Sequence, residues 1–171
     1  MISFDTEVIM EDFSYEENVV KYLKENGLHI SFAESCTGGL TAARLVSVSG
    51  ASSVLDEAYI TYASKSKVKL LGVNPEAINE FGVVSEEVAR GMAEGAAKKS
   101  GAEVGVGITG VAGPYSESDE KPVGTVCFGF YINGKLFSKT VRFGNTNRNE
   151  VREAAAKYVF SALSSLFKEE K

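Results

Sequence analysis

LHISFAESCTGGLTAARLVSVSG, residues 28–50, decides the fold. Its first part alternates, with Leu28, Ile30 and Phe32 apolar, the period-two signature of a strand. Its second part spaces Leu40, Ala43, Leu45 and Val46 along a helix, with Gly50 beyond the end. Between them AESCTGG (33–39) sets an acid, a hydroxyl and a thiol side by side, then a threonine and two glycines. A strand that turns directly into a helix is the building unit of an α/β layered protein.

The flanking segments extend that reading. An amphipathic helix carries Val19, Val20, Tyr22 and Leu23 and stops at Asn26-Gly27. VLDEAYITYA (54–63) is rich in β-branched and aromatic residues and reads as a strand. SKSKVKLLGV follows as a helix, and NPEAINEFG as a short one with Pro75 in its first turn. Ser85 caps the next helix, whose Glu86 and Glu87 open it and Lys98 and Lys99 close it, complementing the helix dipole. AEVGVGITG (102–110) is a strand with glycines where side chains would crowd, and VAGPYSESDEKP (111–122) is a polar loop. VGTVCFGFYI and KLFSKTVRF, joined by Asn133-Gly134, form an antiparallel hairpin. A last helix runs from about Arg148 to Phe167. The order α-β-α-β-α-α-β-β-β-α predicts an α/β fold: a three-layer α/β/α sandwich around a mixed, mostly parallel sheet. Residues 1–14 read as an N-terminal extension and 15–171 as one domain.

Composition narrows the function. The 171 residues are 44% hydrophobic, enough for a full core, and the net charge is −5. No basic stripe offers itself to a phosphate backbone, so no nucleic-acid partner is expected. No apolar stretch is long enough to span a bilayer, and no secretion signal opens the sequence, so a cytoplasmic protein without a membrane partner is expected. Two cysteines make neither a disulfide framework nor a zinc quartet, and a single histidine, His29, excludes a multi-histidine metal site.

Ligands of open α/β sheets bind at the carboxyl ends of the strands. AESCTGG and GITGVAGP (107–114) both lie there. In the first, backbone N–H groups at a helix start can hold an oxyanion beside Ser35, and Gly38 and Gly39 admit close approach. Ser35 and Thr37 also suit plain helix capping. A serine nucleophile needs a base. His29 lies about 20 Å away along an extended strand and alternates outward. Lys65, Lys67 and Lys69, just after the second strand, are the alternatives, with Tyr62 able to relay protons. Cys36 is a second nucleophile candidate or a small buried hydrophobe. Glu34 either orients a substrate or accepts from backbone amides.

AESCTGG, TYASKSK, GVVSEEV, GITGVAGP and KPVGTV, in that order, resemble the C-terminal domain of the competence-damage protein CinA, a family that includes nicotinamide-nucleotide amidases. The resemblance covers about Val19 to Phe167. It implies an α/β/α domain that hydrolyses nicotinamide mononucleotide to nicotinate mononucleotide and ammonia, with no metal and no cofactor. It maps the nucleophile to Ser35, the base to Lys67 and the motif tyrosine to Tyr62. The small nucleotide substrate is then expected to meet Glu34, Cys36, Thr37, Gly38 and Gly39 at one end. Thr109, Gly110, Gly113 and Arg148 or Arg152 would hold its 5′-phosphate. The sequence departs from the family at Ala63-Ser64, where Ser-Asn is frequent, and at Asn147, which replaces an acid before Arg148. A catalytically silent nucleotide-binding module is the alternative, and a homo-oligomer in which a neighbour lends an arginine stays open.

Overall fold

The computed structural model describes residues 14–116, 118–144 and 146–169. Apart from Ser14, the extension read over 1–14 lies outside the described residues. The elements are α1 (Ser14–Asn26), β1 (Ile30–Glu34), α2 (Leu40–Val46), a 3-10 turn (Ala51–Ser53), β2 (Leu55–Ile60), α3 (Ser64–Leu71), α4 (Pro75–Phe81), α5 (Glu86–Ser100), β3 (Val104–Gly110), β4 (Thr125–Ile132), β5 (Lys135–Arg142) and α6 (Arg148–Glu169). The sheet order is β2-β1-β3-β4-β5. β1 pairs in parallel with β2 and β3, and β4 runs antiparallel to both β3 and β5, so four of the five strands share one direction. The mixed, mostly parallel α/β sandwich expected from the sequence is therefore present.

Two separate apolar clusters make the three layers. On one face, Phe32, Val106, Ile108, Phe128 and Phe130 pack with α1 and α6 through Val19, Leu23, Val159 and Phe160. On the other, Ala33 meets Leu71, Val88, Met92 and Ala96 of α3 and α5. β1 is consequently buried along its whole length, including Ser31, whose hydroxyl donates to Glu57 O at 3.0 Å. The solvent-facing side implied by the alternation of Leu28, Ile30 and Phe32 is absent from β1 because helices cover both faces. Glu16 and Arg44 form an ion pair at 2.6 Å with the carboxylate almost fully buried, which ties α1 to α2.

The glycines of β3 and β4 set how closely α5 approaches. A Cβ on Gly107 would lie 2.2 Å from Ala89 O, and one on Gly105 2.1 Å from Ala93 O. The helix backbone thus rests directly on the strand, the crowding read from the sequence. Gly107→Ala should force α5 outward and lower the unfolding free energy by about 3 kcal/mol. Gly91→Ala, on the same helix with its nearest neighbour at 3.6 Å, should leave stability level or raise it by about 0.5–1 kcal/mol. Urea unfolding of the two variants side by side checks this, and equal losses would refute the packing argument. The hairpin turn places Asn133 at φ 47° and Gly134 at φ 88°, the left-handed pair that a two-residue connection demands.

Candidate active site

The chain leaves β1 by α2 to one face and leaves β2 by α3, α4 and α5 to the other. That reversal opens a crevice at the carboxyl end of β1, where Ser35 sits. Ser35 N donates to Ile108 O at 3.0 Å, which pins the residue against β3. Its side chain is the first beyond the strand and is 9% exposed.

Lys67 reaches this point from α3, 32 residues away in sequence, with Nζ 3.0 Å from Ser35 Oγ. The same Nζ lies 2.6 Å from Thr61 O and 3.2 Å from Tyr62 O. Lys67 is 0% exposed. Burial lowers its pKa to about 8, and the nearby Cys36 opposes that shift. Lys65 and Lys69 are exposed on α3, so burial and not a neighbouring positive charge lowers it. An ammonium here donates to all three acceptors. A neutral amine donates to the two carbonyls and turns its lone pair to the serine hydroxyl, the arrangement of a general base. His29 stands at the opposite end of β1, bound to Asp56 at 2.7 Å.

The other predicted residues divide by what they touch. Cys36 is buried within the α1–α6 cluster, and burial pushes its thiol up to about 12, which removes it as a nucleophile at neutral pH. Glu34, expected at the substrate, instead accepts from the amides of Gly39, Thr41 and Ala42 at 2.9–3.1 Å. Both its oxygens are engaged in holding the start of α2. Gly38 and Gly39 adopt φ 61° and 100°, so the turn itself requires them. Their amides are also taken, by Ser35 O and by Glu34. The remaining donors of the turn, the N–H groups of Cys36 and Thr37, hydrogen-bond to Cys36 Sγ, a weak acceptor that a developing oxyanion can displace.

Tyr62 is 63% exposed, and its carbonyl, not its phenol, meets Lys67. The phenol oxygen accepts from Arg148 Nη2 at 2.9 Å, while Arg148 Nη1 donates to Gly113 O at 2.5 Å. Tyr62 follows β2 and Gly113 belongs to the loop after β3, so Arg148 spans the end of β1 between them. Arg152, expected on a phosphate, is spent on protein: Nε donates to Cys36 O and Nη2 to Thr37 O, both at 3.1 Å. Its Nη1 donates to Asn149 Oδ1 at 3.1 Å. Thr109 donates to Val83 O at 2.9 Å and so anchors the segment before α5 instead of facing a ligand. Gly110 is required by packing, since a Cβ there would lie 2.8 Å from Thr125 O. Sequence reading missed Thr61, whose contribution is a main-chain carbonyl.

A family model described as the CinA C-terminal domain matches residues 12–167. A CinA-like protein of Kosmotoga olearia is 50% identical over 145 residues, 85% of this chain and 35% of the relative. A putative competence-damage inducible protein of Alkaliphilus oremlandii is 48% identical over 153 residues, covering 90% of this chain and 37% of its own length. The chain therefore spans just over a third of the length of these curated relatives. Among solved structures, the competence/damage inducible protein CihA from Agrobacterium tumefaciens aligns with a TM-score of 0.85 at 36% identity, over 92% of this chain and 96% of that one. A CinA superfamily protein from Escherichia coli aligns with a TM-score of 0.89 at 27% identity, over 95% of each chain.

Proposed function

The chain belongs to the CinA C-terminal domain family, and on that footing we propose that it is a serine amidohydrolase converting nicotinamide mononucleotide to nicotinate mononucleotide and ammonia. The observation that carries this reading is the 3.0 Å contact between Ser35 Oγ and a lysine amine with no exposed surface. With a pKa of about 8, roughly one Lys67 in ten is neutral at pH 7 and half at pH 8. The neutral amine takes the proton from Ser35 Oγ as the oxygen attacks the carboxamide carbon. The N–H groups of Cys36 and Thr37 stabilise the oxyanion that forms. The C–N bond then breaks, and the Lys67 ammonium returns its proton to the leaving nitrogen, which departs as ammonia. Water attacks the resulting ester, giving its proton to Lys67. Ser35 Oγ leaves, recovers a proton, and the carboxylate product is released.

Arg148 supplies the charge that suits a nucleotide. Its guanidinium lies at the rim of the crevice on Tyr62 and Gly113, and a 5′-phosphate there gains a charge-assisted pair. Purified protein should release ammonia and nicotinate mononucleotide in equal amounts from nicotinamide mononucleotide at pH 8. Free nicotinamide and its riboside, which lack the phosphate, should be turned over at least about tenfold less efficiently. Calorimetric binding of the nucleotide with no ammonia released would overturn the enzymatic reading in favour of a silent binding module.

A further inference from the structure

We infer that Arg152 is a positioning residue, which holds the Cys36–Thr37 peptide so that the amide of Thr37 faces the oxygen of the carbonyl under attack. The inference deepens, and for its kinetic part rests on, the amidohydrolase reading. It begins from peptide geometry. In a trans peptide the C=O and the following N–H point in opposite directions. The peptide joining Cys36 to Thr37 has its oxygen held by Arg152 Nε, and the next peptide has its oxygen held by Arg152 Nη2. Gly38 N–H donates to Ser35 O at 3.2 Å and fixes the peptide before them. Three successive carbonyls are therefore held, two of them by a single guanidinium, and Thr37 O accepts from Leu40 N as well. The Cys36–Thr37 peptide therefore turns its own N–H, that of Thr37, to the side away from Arg152, where its partner is the weakly accepting Cys36 Sγ.

Nothing else among the described residues bonds the Cys36 carbonyl. Without Arg152 that peptide is free to rotate and swing its N–H away. Cys36 Sγ, beside both amides, is a weak acceptor and does not replace the restraint. The third contact, to Asn149 Oδ1 one turn earlier on α6, is exposed and does not touch the turn. Arg152 is half-buried with three contacts to protein, whereas Arg148 is exposed, so a phosphate is better served by Arg148.

The test compares Arg152→Gln, Arg152→Lys and Asn149→Ala with the wild type, all as the full chain. Arg152→Gln should lose about 100-fold in kcat, the effect of removing one oxyanion donor, while KM stays within about twofold. The rise of activity with pH should stay centred near 8, because the Ser35–Lys67 contact does not involve Arg152. Arg152→Lys keeps the charge but not the two-pronged reach, and should fall in between. Asn149→Ala should be close to wild type. A rise in KM with kcat preserved would assign Arg152 to the phosphate and overturn the inference, as would wild-type kcat in Arg152→Lys. A second measurement is independent of substrate. The backbone 15N resonances of Thr37 and Gly38 should shift in Arg152→Gln and Arg152→Lys but not in Asn149→Ala. Unshifted resonances sink the inference even if the wild type is active. Shifted resonances in a wild type that releases no ammonia would instead locate the failure in the proposed substrate.

Discussion

Ser35→Ala should release ammonia from nicotinamide mononucleotide at least about 10³-fold more slowly than the wild type, while Cys36→Ala stays within a few-fold. The two side chains are neighbours, and their surroundings separate them. Ser35 Oγ has an amine 3.0 Å away. The Cys36 thiol has no such base: burial raises its pKa, and with Glu34 outweighs the lowering from its own amide, from that of Thr37 and from Lys67. At pH 8 a thiol with a pKa of about 12 is almost wholly protonated, and its thiolate is the reactive form. Ser35→Ala also leaves the fold intact, because Lys67 keeps the carbonyls of Thr61 and Tyr62. Its unfolding free energy should stay within about 1 kcal/mol of wild type, so lost activity cannot be laid to lost structure. Retained turnover in Ser35→Ala together with lost turnover in Cys36→Ala would move the nucleophile to the thiol.

The strand–turn–helix at 28–46 was legible because its apolar residues recur first at every second position and then at helical spacing, which can be read without coordinates; burial follows that spacing only in part, since β1 is buried throughout and Val46 is exposed. The glycines of β3 were legible for a related reason, since an unbroken strand has no other use for Gly105 and Gly107 beside a helix. The pairing of Ser35 with Lys67 was not available from spacing. Three lysines follow β2, and only the family resemblance separated Lys67 from Lys65 and Lys69. The structure supplies the physical distinction, which is that Lys67 alone of the three is buried. Glu34 stayed open between two readings because an acid at the end of a strand looks the same whether it meets a substrate or caps a helix; the difference lies in three amides five to eight residues later. Arg152 misled for a deeper reason. Its acceptors are main-chain carbonyls about 115 residues away, and a carbonyl leaves no mark in the sequence. Thr61 was missed on the same account.

Lys67→Met should abolish turnover to about the same degree as Ser35→Ala, and it should also reverse a trend in stability. The Lys67 pKa falls from 10.5 in the unfolded chain to about 8 in the fold because burial disfavours the charged amine. Between those values the unfolded chain holds a proton that the folded chain has released, so this residue makes the fold more stable as pH rises from 8 to 10.5. Across the window the gain is about 3 kcal/mol, and below pH 8 the full penalty of the buried ammonium remains. Other groups titrate there with the opposite sign. Burial raises the phenol pKa values of Tyr59 and Tyr158 and the thiol of Cys36, so each of these destabilises the fold as the solution becomes alkaline. The wild-type curve alone therefore mixes the two effects, and the difference from Lys67→Met isolates the lysine. Urea unfolding at pH 7.5, 9 and 10 should show the wild type gaining on the methionine variant at each step. The wild-type kcat/KM should climb about tenfold per pH unit up to its inflection near 8 and then level. A constant stability difference between the two proteins, or activity flat between pH 6 and 9, would mean that the amine at position 67 does not surrender its proton in this range and is not the base.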